Sequence, residues 1–455
     1  MADDLYDVIV VGGGPAGIIA AVTARKYYPE KKILLIKSIG TGVIPCGIPY
    51  MFTTLEKPED NALGNAPLEK NNIELLVDEV ISIDRSKKKI RTKNNKSFCY
   101  DRLVLATGSK AIMPPIPGND KRGIYLIHKE MNHLKNLKQD IYNARNIVIL
   151  GAGFIGIEFA DELSKLKDTS VSIVEMKPEI LSGSFDPEFS QLVEEKIKER
   201  GIRVILNTKI EKFNGGERVE SVSLSNNQTI SADLVIVGAG SVPNSQLAQN
   251  AGLEIGESRG ILVDEYLRTS DLNIFAVGDC AEKRDFFTRE KTNVMLASTA
   301  TAEARIAGSN LFRLKVIKEN KGTIATYSTC IGDLTLGLAG LTETAARRQG
   351  FEIIVGNAEC ANKHPDAMPG TKKLKLKLIF SRQSGVLLGG QAAGDVSVGE
   401  MTNIIALAIQ KDFSLTELET LQIATHPKLT AAPTMYPLIL AAQDALKGYQ
   451  KHEKI

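Results

Sequence analysis

Short runs of consecutive apolar, mostly β-branched residues recur along this chain, each followed by a glycine-rich turn and then a stretch of helical character. In Asp7-Val8-Ile9-Val10-Val11 the four residues after Asp7 form the short apolar, β-branched run of a buried strand. Gly12-Gly13-Gly14-Pro15-Ala16-Gly17 follows it. Ile18 to Tyr28 then reads as a helix that stops at Pro29, and Ile33 to Ile36 reads as the next strand. Together they make a βαβ unit. The pattern returns with a strand at Asn146 to Leu150, a turn Gly151-Ala152-Gly153-Phe154-Ile155-Gly156, a helix at Ile157 to Leu166, and a strand at Val171 to Val174 that ends at Glu175.

Between the two units, Leu103-Val104-Leu105-Ala106-Thr107-Gly108 is a strand running into a small-residue turn. A matching run, Leu234 to Gly240 with Gly238 inside it, closes the second unit. Ile274-Phe275-Ala276-Val277-Gly278-Asp279 is a further strand ending in Gly-Asp. From about residue 326 the pattern changes to short strands (Leu374 to Phe380, Val386 to Gly389) alternating with helices (Val398 to Gln410, Leu438 to Lys447), an α+β arrangement. The chain is therefore read as α/β, with two Rossmann-like dinucleotide-binding domains and a separate C-terminal α+β domain.

Composition narrows this little. The 455 residues are ordinary for globular protein, with 43% hydrophobic and 24% charged residues. A net charge of +2 gives no electrostatic case for nucleic acid or membrane binding. Lys87-Lys88-Lys89 reads as a solvated turn. No apolar run reaches the ~18–20 residues of a membrane span, and the start Met1-Ala2-Asp3-Asp4 lacks a secretory pattern, so a cytoplasmic location is expected. Five scattered cysteines without a C-x-x-C spacing argue against a disulfide scaffold or a zinc site, and no metal is expected.

The chemistry sits at the turns. Gly12, Gly14 and Gly17 fit G-x-G-x-x-G between a strand and a helix, the context in which glycines admit a pyrophosphate to a helix N-terminus. The acid that normally follows on the next strand is missing, because Lys37 stands there. Adenosine recognition at this site must differ locally or rest on backbone groups. The second fingerprint, Gly151, Gly153 and Gly156, has its acid in Glu175, which accepts ribose hydroxyls and repels a 2′-phosphate. That favours NADH, with NADPH left open by the nearby Lys177. Two nucleotide sites in one chain point to electron transfer between two cofactors. Asp279, at a strand's C-terminal end, would then serve a flavin through its ribityl hydroxyls, although a Gly-Asp pair alone is common.

Cys46 lies in Pro45-Cys46-Gly47-Ile48-Pro49-Tyr50, just beyond the first βαβ unit. As a thiolate it would be the nucleophile of thiol exchange; the alternative is a small buried hydrophobe. That second reading is the default for Cys99, Cys280, Cys330 and Cys360.

Taken together these residues resemble the pyridine nucleotide–disulfide oxidoreductases, over essentially the whole chain and in the family's order. The resemblance implies an FAD-binding domain at 1–115 and 266–325, an NAD(P)-binding domain at 116–265 and a dimerisation domain at 326–455, in a homodimer. It implies that Gly12, Gly14, Pro15, Ala16, Gly17, Lys37, Thr107, Gly108, Gly278 and Asp279 serve FAD. Gly151, Gly153, Phe154, Ile155, Gly156, Glu158, Glu175 and Gly238 would serve NADH, with Glu158 near the nicotinamide–flavin contact.

Cys46-Gly47-Ile48-Pro49-Tyr50 is similar to the active-site segment of the single-cysteine branch, which holds coenzyme A-disulfide reductases, NADH oxidases and peroxidases, and persulfide or polysulfide reductases. The partner position of two-cysteine members is Thr41 here, so no internal disulfide forms at this site. The implied cycle passes electrons from NADH through FAD to Cys46, which rests as a mixed disulfide, persulfide or sulfenic acid. Tyr50 would then lie at the substrate. Arg25 matches a basic position that helps hold coenzyme A phosphates in some members, or else ends its helix in solvent. His426, in Thr425-His426-Pro427-Lys428, is read either as an acid/base for the partner subunit's Cys46 or as a capping histidine.

Pro15 stands in the glycine motif where oxidases and peroxidases usually carry a histidine, which lowers those readings. The expectation is an NADH-dependent FAD enzyme that reduces a small-molecule disulfide, persulfide or polysulfide, coenzyme A-linked in one version. An NADH oxidase, an electron-transfer reductase for a protein partner and a redox-sensing binding module are the alternatives.

Overall fold

The computed structural model describes residues 4–315 and 318–450. They divide into two compact units. The first holds residues 4–115, 125–143 and 239–323, and the second holds 116–124, 144–238 and 324–450, counted over described residues.

The first unit is built on strand Asp4–Val11, every residue of which beyond Tyr6-Asp7 is buried. It lies parallel to Ile33–Lys37 on one side and to Ser97–Leu105 on the other, with Val10 opposite Leu35 and Val104. Glu74–Val77 and Ile274–Ala276 extend the parallel run at its two ends. The helix after the first strand spans Pro15–Tyr27, starting three residues before the Ile18 read from the sequence. Pro15 explains the difference: at the first helical position its missing N–H costs nothing and its fixed φ suits the helix. This helix packs on Ala297–Asn310 through small residues, and a β-carbon on Gly308 would stand 2.8 Å from the Ala20 carbonyl oxygen. Ala20, Ala21, Ala24, Ala304 and Ala307 fill that seam, all buried.

In the second unit a parallel run of Leu234–Val237, Asn146–Leu150, Ser170–Val174 and Arg203–Ile205 repeats the arrangement. Its fingerprint helix is Phe154–Leu163, again three residues ahead of the sequence reading of Ile157 to Leu166. Residues 326–394 form a five-stranded antiparallel sheet carrying helices Ser397–Gln410 and Pro437–Gln450. Glycines give those helices room. A β-carbon on Gly337 would sit 1.8 Å from Thr402 Oγ1, and one on Gly356 would sit 1.9 Å from the Ala441 carbonyl oxygen. The fold is thus α/β with two dinucleotide-type sheets and a C-terminal α+β sheet. Among the described residues no helix is long and apolar enough to cross a membrane.

Asp186 ties the C-terminal sheet to the second nucleotide sheet within this unit. Its carboxylate, in a residue 1% exposed, accepts hydrogen bonds from the Glu343 and Thr344 N–H groups, the Thr344 hydroxyl, Gln391 Nε2 and Lys377 Nζ. Lys377 also pairs with Glu188 and Glu343. Burial alone would raise the Asp186 pKa, but these donors hold it below the ordinary carboxylate value. Its stabilising contribution is present above the unfolded-state pKa and is lost as pH falls through the lower folded-state value. Asp186→Ala removes one of the three carboxylates around Lys377 and leaves the Glu343 and Thr344 N–H groups and Gln391 Nε2 without their acceptor, and chemical denaturation should show a loss of about 3 kcal/mol near neutral pH. An unchanged midpoint would remove Asp186 from this role.

Candidate functional site

Each fingerprint divides the work among its three glycines in the same way. The first turns the chain: Gly12 has φ +120 and Gly151 φ +101. A β-carbon on Gly12 would meet the Ala106 carbonyl oxygen at 2.1 Å, and one on Gly151 the Gly238 carbonyl oxygen at 2.7 Å. The third lets helix and turn touch, since a β-carbon on Gly17 or Gly156 would stand 1.9 or 2.0 Å from the carbonyl oxygen of Gly12 or Gly151. The second glycine differs. Nothing lies within 4 Å of where Gly14 or Gly153 would carry a β-carbon. Each is the N-cap of its helix, no side chain caps either helix, and neither first turn holds an acid. The result is two open cradles in front of free helix N–H groups, which suit an anionic pyrophosphate.

Around the first cradle, Thr107 Oγ1 donates to the Asn244 carbonyl at 2.6 Å, and the Asn244 N–H donates to the Gly108 carbonyl at 2.8 Å. Asp279 accepts from the Ser109 hydroxyl at 2.7 Å, with Lys129 Nζ at 3.5 Å. Ala16 packs under Gly278. Lys37 occupies the place of the missing acid. Its side chain lies across Gly13, whose added β-carbon would meet Lys37 Cδ at 2.5 Å, and its ammonium donates to Asn65 Oδ1 at 2.8 Å. Burial pushes the Lys37 pKa down. A donor ammonium therefore stands here instead of an acceptor carboxylate, steadied by the Asn65 carbonyl oxygen, which no sequence signal announces.

Around the second cradle, Glu175 is fixed by backbone donors, the Ala152 N–H at 2.7 Å and the Lys177 N–H at 2.9 Å. Ile155 is exposed, and Phe154 stacks on Tyr327 with ring centroids 4.9 Å apart. Glu158 Oε1 accepts from the Thr329 hydroxyl at 2.8 Å. Desolvation pushes the Glu158 carboxyl up to about 7, against a smaller downward pull from Thr329. Thr329 and Tyr327 come from the first strand of the C-terminal sheet, and spacing gave no reason to pick them out.

Cys46 is exposed, in the 3₁₀ turn Pro45–Gly47. A second turn, Pro49–Met51, carries Tyr50. Asn61 pins the cysteine turn: its Nδ2 donates to the Ile44 carbonyl at 3.0 Å, and its own carbonyl accepts the Ile44 N–H at 3.0 Å. Gly47 makes room for it, since a β-carbon there would lie 2.0 Å from Asn61 Oδ1. From helix Met131–Asn143, Lys138 Nζ donates to the Met51 carbonyl at 2.7 Å and the Tyr142 hydroxyl to the Phe52 carbonyl at 3.1 Å. The thiol-bearing segment is thereby held by its backbone.

Arg25 departs from the phosphate-holding expectation. Its guanidinium donates to four backbone carbonyls, those of Pro29, Lys31, Asn71 and Asn72, at 2.7–3.1 Å. It closes its helix against neighbouring loops, and few of its N–H groups remain for a substrate. His426 is exposed, and its Nδ1 accepts the Lys428 N–H at 3.3 Å. That is the local capping arrangement, with Nε2 left as the proton-bearing ring atom. Cys280 is fully buried, with its thiol against the Leu105 and Val277 carbonyls, as expected of a packing cysteine.

Two anion cradles, one with a fixed acid beside it, together with an exposed cysteine in a braced turn, define a two-nucleotide redox enzyme. Residues 6–304 match the family model for pyridine nucleotide-disulphide oxidoreductases, and residues 326–436 match the dimerisation domain of the same family. The chain belongs to this family. An NADH oxidase of Methanocaldococcus jannaschii is 34% identical over 449 residues, covering 96% of this chain and 98% of its own. An NAD(P)H coenzyme A polysulfide/persulfide reductase of Pyrococcus horikoshii is 30% identical over 443 residues, covering 96% and 97%. The solved structure of an NAD-dependent persulfide reductase from A. fulgidus superposes with a TM-score of 0.90 at 29% identity, covering 98% of this chain and 84% of that one. The chain is an FAD-dependent NAD(P)H oxidoreductase.

Two predictions follow from this geometry. The folded chain keeps a proton on Glu158 up to about pH 7, whereas the unfolded chain releases it near 4.5. Stability from this group therefore falls as pH rises between those values and levels off above them. Glu158→Gln should be more stable than the parent at pH 8 by roughly 1–3 kcal/mol and equal to it at pH 4, as read by thermal unfolding at the two pH values. Gly47→Ala should displace Asn61, lowering turnover about tenfold or more while FAD stays bound; parental turnover would show that the pinned turn is dispensable.

Proposed function

We propose that this chain is a homodimeric NADH-dependent reductase of low-molecular-weight disulfides, persulfides or polysulfides, acting through Cys46. The observation that carries the reading is an exposed thiol in a backbone-pinned turn, with Thr41 where a second cysteine would stand. A lone cysteine must pair with a sulfur that arrives from solution. Pro15 in the first fingerprint, in place of a histidine, supports sulfur over oxygen as the acceptor.

Bound FAD supplies the relay of an electron pair from NADH. The protein's part is to hold the groups and the sulfur. Gly12, Gly14 and Gly17 seat the flavin dinucleotide, with Asp279, Thr107 and Lys37 placed along it. Gly151, Gly153 and Gly156 seat NADH, and Glu175 accepts its ribose hydroxyls. The Cys46 thiolate attacks one sulfur of RS–SR, forming the mixed disulfide Cys46–S–SR and releasing RS⁻, which takes a proton from solvent. Two electrons then break the S–S bond of that mixed disulfide, returning the Cys46 thiolate and a second RS⁻. With a persulfide RS–SH the thiolate attacks the outer sulfur, forming Cys46–S–SH and releasing RS⁻; two electrons then break that S–S bond, returning the Cys46 thiolate and HS⁻, and solvent protons give RSH and hydrogen sulfide. The dimerisation domain supports a second copy completing the substrate pocket, with Nε2 of the partner subunit's His426 supplying protons to the leaving thiolate.

Anaerobic NADH oxidation with coenzyme A disulfide, glutathione persulfide or polysulfide tests this. At least one should be turned over well above the rate of free flavin, and Cys46→Ser should lose that rate by about a hundredfold or more. No acceleration with any of the three would reject the reading. The oxidase name of the Methanocaldococcus relative favours oxygen reduction as a second reading. Rapid oxygen uptake matched to NADH loss would select it over the first.

A further inference from the structure

The turn that presents Asp279 is held from behind by a buried ion pair. Gly278 has φ +73, a conformation that glycine adopts freely. Its two backbone polar groups point into protein, where each needs a partner. Its N–H donates to Glu303 Oε2 at 2.8 Å, and its carbonyl accepts from Lys283 Nζ at 2.6 Å. Lys283 and Glu303 pair with each other at 2.7 Å, with side chains 4% and 2% exposed. Three elements meet here: the turn Gly278–Cys280, the strand Lys283–Arg284 and the helix Ala297–Asn310.

As a stabilising device this pair is poor. Burying both charges is costly, and the second carboxylate oxygen, Glu303 Oε1, is buried without a hydrogen-bond partner. A pair of apolar side chains of similar size would serve the core as well or better. What they would not supply is an acceptor for the Gly278 N–H, nor the second donor that joins the Ala281 N–H, at 3.0 Å, on the Gly278 carbonyl. The pair is therefore explained by what it does to the turn.

We propose that Lys283 and Glu303 are positioning residues for the flavin: they fix the two peptides flanking Gly278, Val277–Gly278 through Glu303 and Gly278–Asp279 through Lys283, so that Asp279 meets the FAD ribityl chain, without touching FAD themselves. This rests on the reading that Asp279 holds FAD. Ser109 and Lys129 set the Asp279 side chain from the front, and the ion pair sets its backbone from the rear. Lys283 and Glu303 are twenty positions apart in sequence, since 303 − 283 = 20, and neither belongs to a glycine fingerprint.

The test is the FAD dissociation constant of the holoenzyme and its variants, with the flavin absorbance spectrum and the apoprotein melting temperature beside it. Glu303→Gln keeps an oxygen for the Gly278 N–H and should hold FAD within about threefold of the parent. Glu303→Leu removes that acceptor and should weaken FAD about tenfold or more, with a shifted flavin spectrum. The double variant Lys283→Met/Glu303→Leu leaves no stranded charge; it should melt near the parent temperature yet also lose FAD about tenfold or more. If Glu303→Leu does not fold, the double variant decides. FAD affinity in the double variant equal to the parent's would overturn the proposal. Asp279→Asn separates the two claims: if it leaves FAD affinity intact, the reading of Asp279 fails, whereas weakened binding there with a tight double variant sinks only the ion-pair inference.

Discussion

Two helices in this chain begin without any side chain over their first N–H groups, and both open onto empty space at the middle glycine of the fingerprint. Unsatisfied donors at the positive end of a helix dipole call for an anion. Each parallel sheet exists, in functional terms, to aim one such helix. The flanking glycines follow from the same demand, because the turn must fold back on itself closely enough to leave the middle position clear. Once two dinucleotides are required, the chain becomes a conduit for electron pairs, and the remaining question is where they leave.

On the proposed function they leave at Cys46, a residue held by backbone restraint more than by side-chain chemistry. Asn61 and Gly47 lock the turn that carries Cys46, while Lys138 and Tyr142 grip the carbonyls just beyond it. The turn proposed to meet the flavin is restrained in the same style, with Gly278 held at both its N–H and its carbonyl by Glu303 and Lys283. A redox enzyme needs such stiffness because its reacting atoms must meet within narrow limits of distance and angle.

Much of this was legible in the sequence, for physical reasons. Buried parallel strands are apolar along their length, so the runs Val8 to Val11 and Ile147 to Leu150 stand out, and the glycine spacing after each is dictated by sterics. The helix starts were misplaced by three residues because Pro15-Ala16-Gly17 and Phe154-Ile155-Gly156 look like turn residues yet form the first helical turn. The residues that brace the site were not legible. Asn61, Lys138, Thr329, Lys283 and Glu303 act through contacts between segments distant in sequence, and a lone asparagine or lysine carries no periodic signal. Arg25 shows the converse: a basic residue at a suggestive position donates to the carbonyls of Pro29, Lys31, Asn71 and Asn72, a role that only coordinates reveal.

The central claim is that electrons leave through the sulfur of Cys46. Anaerobic titration of the oxidised flavoprotein with NADH, sampling Cys46 by alkylation and mass spectrometry at each step, tests it most directly. The account predicts that Cys46 starts blocked by a second sulfur or an oxygen, becomes alkylatable as NADH is consumed, and takes up one electron pair beyond the flavin's own. A Cys46 that alkylates equally before and after NADH, with uptake that stops at the flavin, would contradict it.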